Sequence, residues 1–217
     1  MEHSEILHMV DHTLLKQTAT WDQIKEVCDD ATRFQTASIC IPPCYVKKAA
    51  DYLKGKMKVC TVIGFPNGNT TTACKAFEAK EAIANGASEV DMVINIGMVK
   101  AGDYDGVLRE IQILRDVSKG YTLKVIIECC LLTDEEKAKL SEIVTEAGAD
   151  FIKTSTGFST GGATVSDVKI LADHVGPNVK VKASGGIHSF EEAEALIAAG
   201  ASRIGASRLV TEEKKLS

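Results

Sequence analysis

The chain has 217 residues, of which 45% are hydrophobic and 25% are charged, as in ordinary soluble domains that bury a core. Its net charge is -5 and it has no basic run longer than a pair such as Lys214-Lys215, which argues against a nucleic-acid partner. The apolar runs are too short to cross a membrane, and the start Met1-Glu2-His3-Ser4-Glu5 does not resemble a signal peptide. We therefore expect a cytoplasmic protein without a membrane partner.

Strands and helices are predicted to alternate along the whole chain. The predicted strands cover residues 9–13, 36–41, 58–63, 89–95, 122–128, 150–154, 178–183 and 203–206. The predicted helices cover residues 20–34, 43–54, 70–85, 103–119, 133–147, 164–175 and 188–199. This order indicates a parallel sheet, and we predict one domain, residues 1–217, with the (β/α)₈ barrel fold. The alternative is an open doubly wound sheet, for which no nucleotide-binding glycine motif is present.

A short unit occurs three times in the sequence. Each time a helical stretch ends in Gly-Ala, a typical helix stop, and a short strand follows. The residues five positions after the three glycines are Asp91, Lys153 and Gly205. The unit thus places a candidate site residue at the same position of three different strands.

Alternation along the strands predicts charged residues inside the barrel. In 122–128 the apolar alternate residues should face the helices, which turns Lys124 and Glu128 inward. The same argument turns Asp91, Lys153 and Lys182 inward. Because an isolated buried charge costs several kcal/mol, opposite charges must lie close together, and function explains such a cluster better than stability does.

Two lysines stand at strand ends before small polar residues and glycine. Lys153 precedes Thr-Ser-Thr-Gly, and Lys182 precedes Ala-Ser-Gly-Gly. A lysine near a second cation can lose its proton and act as an amine nucleophile, so we interpret Lys153 as imine-forming and Lys182 as the neighbouring charge. The alternatives are a surface lysine at 153 and a plain ion-pair partner of Asp91 at 182. Asp91 would either orient Lys182 and a water for proton transfer or only neutralise the lysines.

The glycines after these strands indicate an anion site, because barrels often hold phosphate after strands seven and eight. Each glycine taken alone could be turn material. The predicted phosphate-binding residues are Gly157, Ser184, Gly185, Gly186, Gly205 and Ser207. Further candidates for the substrate pocket are Asp11, Thr13, Cys40, Thr156 and Arg208. We interpret Cys40 as a small buried apolar residue rather than as a nucleophile.

The seven cysteines do not predict a metal centre. An odd count in a cytosolic chain favours free thiols. Neither Cys40-x-x-x-Cys44 nor Cys129-Cys130 has the usual spacing of structural zinc ligands. We expect no metal and no organic cofactor.

Together these residues resemble the deoxyribose-phosphate aldolases, a family of class I aldolases on the (β/α)₈ fold. The likeness covers almost the whole chain, and its two lysine blocks are specific in order and spacing. The matching blocks are Val10-Asp11-His12-Thr13-Leu14, Ser38-Ile39-Cys40-Ile41-Pro42-Pro43, Gly64-Phe65-Pro66-Asn67-Gly68, Glu89-Val90-Asp91-Met92-Val93-Ile94-Asn95, Lys153-Thr154-Ser155-Thr156-Gly157-Phe158, Lys182-Ala183-Ser184-Gly185-Gly186 and Ile204-Gly205-Ala206-Ser207.

The resemblance implies reversible cleavage of 2-deoxy-D-ribose 5-phosphate to D-glyceraldehyde 3-phosphate and acetaldehyde. It further implies that Lys153 forms the imine, that Lys182 tunes its reactivity, and that Asp91 with a water moves protons. The expected partners are a phosphorylated sugar and other copies of the chain, as a homodimer or higher homo-oligomer. The alternatives are a transaldolase-like enzyme and a catalytically silent sugar-phosphate binding protein.

The sequence departs from the family pattern in two places. Family members often carry a longer tail that ends in tyrosine, whereas only Val210 to Ser217 follow Leu209 here. Arg208 stands where the family frequently has a small hydroxyl residue. We expect the first departure to affect the rate rather than the reaction, and the second to add a phosphate contact or a solvent-facing charge.

Overall fold

In the computed structural model, which describes residues 1–216, each strand pairs in parallel with the next, and the last pairs with the first. The predicted (β/α)₈ barrel is therefore confirmed. The predicted domain ends at Ser217, which lies outside the described residues. The strands are β1 (Val10–Thr13), β2 (Ser38–Ile41), β3 (Val59–Ile63), β4 (Glu89–Val93), β5 (Thr122–Ile126), β6 (Phe151–Lys153), β7 (Lys180–Ser184) and β8 (Ala201–Ala206).

Helices cover the outside of the barrel. They are α1 (His3–Leu7), α2 (Trp21–Phe34), α3 (Val46–Leu53), α4 (Thr72–Ala84), α5 (Ile96–Lys100), α6 (Tyr104–Val117), α7 (Asp134–Glu146), α8 (Val165–His174), α9 (Phe190–Ala198) and α10 (Arg208–Leu216). The predicted capping sequences act as expected: Thr133 and Ser189 form capping boxes at the starts of α7 and α9. The sequence pattern missed α1 and α5, and the ranges of the predicted helices stop before α10.

Two strands end two residues earlier than predicted. β4 stops at Val93 because Asn95 caps α5, its side chain accepting a hydrogen bond from Met98 N at 3.4 Å. β5 stops at Ile126, and Glu128 has a left-handed backbone with φ 56°. The prediction that Glu128 continues the inward face of this strand is therefore wrong.

The apolar core lies between the barrel wall and the helices. On α2 the buried residues Ile24, Val27, Cys28 and Ala31 recur at helical spacing and form one face against the sheet. The outward strand residues, such as Val90 and Val125, are fully buried beneath the helices. Because the apolar strand faces point outward, the barrel interior is left to the polar and charged residues.

Candidate active site

The inward-facing side chains form layers, each built from alternate strands as is usual in such barrels. The charged ones are buried together, and contacts between them link strands far apart in sequence. The odd strands contribute Asp11, Cys60, Lys124 and Lys182, and above them the even strands contribute Cys40, Asp91, Lys153 and Gly205. The predicted catalytic residues Lys153, Lys182 and Asp91 thus come together near the carboxyl ends of the strands.

Asp91 is the centre of this cluster. Its Oδ2 atom accepts from Lys153 Nζ at 2.8 Å and from Lys182 Nζ at 2.7 Å. Its Oδ1 atom accepts from Lys124 Nζ at 2.8 Å and from Cys60 Sγ at 3.1 Å. Burial alone would raise the pKa of Asp91, but the three lysines hold that pKa well below its ordinary value. Asp91 is therefore an ionised carboxylate shared by three amines.

Asp11 fixes Lys182 from the other side. Its carboxylate accepts a hydrogen bond from Lys182. It also accepts from Arg203 Nη1 at 2.6 Å and from Ser38 Oγ at 2.8 Å. Burial opposes protonation of Lys182, but Asp11 and Asp91 raise the pKa of Lys182 above its ordinary value. Lys182 is consequently a permanent cation whose nitrogen contacts the same Asp91 oxygen as Lys153.

The connected interior cluster contains more cations than carboxylates. Within the described part of the chain, ion pairs join four inward cations to three carboxylates. The cations are Lys124, Lys153, Lys182 and Arg203, and the carboxylates are Asp11, Glu89 and Asp91. Lys124 and Lys182 each contact more than one carboxylate, whereas Lys153 contacts Asp91 alone. Lys153 is thus the lysine of this cluster with the fewest carboxylate contacts.

A cavity of about 240 Å³ opens directly above Lys153. It is lined by the loops that follow β1, β6, β7 and β8. The predicted residues that line it are Thr13, Lys153, Thr156, Gly157, Ser184, Gly185, Gly186, Gly205 and Ser207. Asp11, Cys40, Asp91 and Lys182 lie buried outside the lining, and Arg208 is exposed at the start of α10. Lys153 is the member of the cluster that a ligand in this cavity would meet.

The glycines around the cavity have two different structural roles. Gly157 and Gly185 have φ values of +82° and +84°, a left-handed conformation that an L side chain rarely adopts. Gly205 instead provides space, because a Cβ atom there would lie 2.8 Å from Ser184 Cβ and 3.2 Å from Lys182 Cε. Gly205 therefore admits the stem of Lys182.

Hydrogen bonds hold the cavity loops in place. Ser184 Oγ donates to Ser155 O at 2.6 Å, and Ser184 N donates to Thr154 Oγ1 at 3.1 Å. The Glu128 carboxylate accepts from Thr156 N at 3.1 Å and from the Thr156 hydroxyl. Glu128 thus anchors the loop after β6 at the cavity wall.

Sequence reasoning missed several residues of the site. Arg203 and Glu89 belong to the interior network, and Lys16 and Phe158 line the cavity. Alternation along β8 carried the signal for Arg203, since it stands two residues before Gly205 on the same face. The exposed Lys16 follows the β1 strand end, where cavity loops begin.

A closed barrel with a lysine amine at the floor of a glycine-rimmed cavity, beside a second lysine, is typical of class I aldolases. The model of the DeoC/LacD family aldolases matches residues 6–210, and the chain belongs to this family.

Named relatives cover nearly the whole chain. A deoxyribose-phosphate aldolase of Streptococcus pyogenes is 58% identical over 210 residues, 97% of this chain and 94% of the relative. One of Clostridioides difficile is 57% identical over 209 residues, 96% of this chain and 94% of the relative. The tetrameric deoxyribose-phosphate aldolase structure from Aeropyrum pernix superposes with a TM-score of 0.92 at 31% identity, covering 100% of this chain and 94% of that one.

Proposed function

We propose that this protein is a class I aldolase that reversibly cleaves 2-deoxy-D-ribose 5-phosphate to D-glyceraldehyde 3-phosphate and acetaldehyde. The observation that carries the proposal is the position of Lys153. It lies at the cavity floor, and it shares one oxygen of Asp91 with the permanent cation Lys182. The relatives named deoxyribose-phosphate aldolase support the choice of substrate.

The reaction begins when the neutral amine of Lys153 attacks the aldehyde carbon of the open-chain sugar, and loss of water gives an iminium ion. The iminium ion accepts the electron pair of the C2–C3 bond as that bond breaks. A proton leaves the C3 hydroxyl, D-glyceraldehyde 3-phosphate departs, and an enamine remains on Lys153. Protonation of the enamine carbon and hydrolysis then release acetaldehyde and restore the amine.

Asp91 and Lys182 serve the proton transfers in this scheme. Because the lysines hold Asp91 ionised, it suits the role of orienting a water and of taking a proton only transiently. Lys182 is assigned to tuning the reactivity of the nucleophile, because its nitrogen contacts the same Asp91 oxygen as Lys153. The reaction as written needs no metal and no organic cofactor.

The test of the nucleophile is reduction with borohydride in the presence of acetaldehyde, followed by peptide mapping. A two-carbon group should appear on Lys153 and on no other lysine. A sample reduced without acetaldehyde provides the background. Modification of Lys182 with Lys153 untouched would contradict the assignment, and release of acetaldehyde from 2-deoxy-D-ribose 5-phosphate separates this reaction from that of a transaldolase-like enzyme.

The 5-phosphate is assigned to the loops after β6, β7 and β8, with Gly157, Gly185, Gly186 and the hydroxyls of Ser184 and Ser207. Backbone N–H groups of left-handed glycines form concave anion sites, which supports this placement. The unphosphorylated sugar should therefore have a much lower kcat/KM, since it loses the binding energy that orients it. Equal kcat/KM values for the two sugars would contradict the phosphate site.

Two glycines offer a matched pair for this test. Gly186 and Gly102 have φ values of +73° and +72°, and a Cβ atom on either meets nothing within 4 Å. Gly186→Ala and Gly102→Ala thus carry the same backbone strain, but only the former lies in the cavity. The former should raise KM for the phosphorylated sugar, whereas Ser207→Ala should have a modest effect.

Self-association and a cytoplasmic location remain proposals. No helix in residues 1–216 is long and apolar enough to cross a membrane. The Aeropyrum pernix relative is tetrameric, which supports a homo-oligomer here. Light scattering during size-exclusion chromatography measures the mass directly, and a monomer at assay concentration would contradict self-association.

A further inference from the structure

Two thiols that the proposed reaction does not use lie side by side in the barrel. Cys40 on β2 and Cys60 on β3 are register partners, and both are fully buried. Their sulfur atoms and a carboxylate oxygen of Asp91 all lie within 4.8 Å of one another. The spacing of the cysteines in the sequence did not predict this pair, which the register between β2 and β3 brings together.

The donor set has a definite metal preference. Two thiolates and one carboxylate suit a thiophilic divalent ion such as Zn²⁺ or Cd²⁺ far better than Mg²⁺ or Ca²⁺. Three protein donors would leave the fourth tetrahedral position to a water. Cys40 is the register partner of Thr13, which lines the cavity, so one strand separates the buried Cys40 from the cavity wall.

The charge balance of the interior permits such an ion. Binding of one divalent ion releases the two thiol protons, so the total charge inside the barrel does not change. Lys124 Nζ contacts Asp91 Oδ1 at 2.8 Å and Cys60 Sγ at 3.2 Å. The ion would displace Lys124 from both atoms. Lys124 Nζ would keep Glu89 at 2.6 Å and Asp11 at 3.5 Å. The displaced lysine thus retains carboxylate partners in the described network.

We propose that Cys40, Cys60 and Asp91 form a binding site for one Zn²⁺ ion and that the bound ion inhibits the aldolase. The inhibition follows because Asp91, once a metal ligand, no longer serves Lys153 and Lys182, and this part rests on the proposed function. The ion is an inhibitor that competes for the catalytic carboxylate. The site makes the enzyme sensitive to free zinc.

Binding is tested with Cd²⁺ as the probe, because thiolate-to-cadmium charge transfer absorbs in the ultraviolet and needs no turnover. The wild-type protein should bind one Cd²⁺ per chain with this absorption. Cys60→Ala and Cys40→Ala should each weaken binding by more than about tenfold, since removal of even an outer-shell group costs that much. The control is the triple variant Cys44→Ala, Cys74→Ala, Cys130→Ala, which removes the three exposed thiols and should keep the signal.

Inhibition is measured separately with Zn²⁺ in a chelator-buffered assay. The wild-type protein and the triple variant should lose activity reversibly. The free Zn²⁺ concentration that halves the rate of Cys60→Ala, relative to its own uninhibited rate, should be at least tenfold higher than for the wild-type protein. The proposed site would be overturned if the triple variant lost the cadmium absorption or if the wild-type protein did not show it. An active enzyme that binds Cd²⁺ there but ignores Zn²⁺ would overturn the inhibition. A chain that binds Cd²⁺ but cleaves no substrate would instead refute the proposed function.

Discussion

Within residues 1–216, the lysines that are at most 3% exposed lie in two regions, and only one of these regions borders the cavity. In the barrel interior Lys124, Lys153 and Lys182 share Asp91 beneath an open cavity. Between α4 and α6, Lys75 is fully buried with a single carboxylate. Its Nζ donates to Glu110 Oε1 and to Val93 O, both at 2.8 Å.

The ion pair of Lys75 and Glu110, here called the helix-layer pair, has a structural role. Glu110 also accepts from Asn95 N at 3.0 Å, so the pair ties α4 and α6 to the end of β4. Burial lowers the pKa of Lys75 even though Glu110 raises it, which is the shift often sought in a reactive lysine. Yet Lys75 does not line the cavity. Burial and a shifted pKa alone would select Lys75, whereas an excess of cations beside a cavity selects Lys153, the proposed nucleophile.

The largest expected effect comes from removing the two lysines in turn. Lys153→Met should lower kcat/KM for 2-deoxy-D-ribose 5-phosphate by several orders of magnitude, because the covalent step is lost. Lys75→Met, the same change in the other region, should leave kcat/KM per folded molecule nearly unchanged. Steady-state kinetics on folded protein checks both. Comparable losses in the two variants would remove the distinction between the regions.

Lys182→Leu probes the excess of cations. Removal of this permanent charge leaves three inward cations against three carboxylates in the cluster described above. Because Lys182 is proposed to tune the reactivity of the nucleophile, activity at neutral pH should fall by about 10²-fold or more. The acidic limb of the pH–rate profile should move upward. An unmoved profile would show that burial alone tunes the nucleophile.

The helix-layer pair should respond in stability instead. Lys75→Met leaves the Glu110 carboxylate buried without its cation, which typically costs about 3–5 kcal/mol. Urea unfolding measures this loss. Adding Glu110→Gln should restore much of it, because the amide oxygen can still accept from Asn95 N and no charge is left unpaired. A double variant as unstable as the single one would show that packing, not charge, sets the cost.

The smallest effect concerns alkaline pH. Because the pKa of Lys75 is lower in the folded state, the unfolded chain binds more protons between that pKa and the ordinary one near 10.5. Stability contributed by Lys75 therefore rises with pH in this window. Lys182 has a raised pKa, so its contribution is lost as pH rises through the folded value. In this pH window the free energy of unfolding of the wild-type protein should increase relative to that of Lys75→Met. A decrease would show that the pKa of Lys75 is raised, not lowered, in the folded state.

The sequence by itself determined the barrel and most of its catalytic face. Helix stops, caps and period-two alternation are local signals, and they located eight strands and turned Asp91, Lys153 and Lys182 inward. The glycine loops after β6 and β7 were also readable, since left-handed turns favour glycine. Their roles in catalysis and phosphate binding remain predictions.

Only the tertiary structure decided which charges meet. Closure of the barrel pairs β1 with β8 and brings Asp11 to Lys182 and Arg203, contacts that span most of the chain. Pairing of β2 with β3 and of β3 with β4 brings Cys60 to Cys40 and Asp91, and the packed interior shows that Gly205 makes room for Lys182. Alternation within a strand fixes the direction of a side chain but not its neighbours. Those neighbours depend on the stagger between strands and on closure of the sheet, which no local pattern encodes.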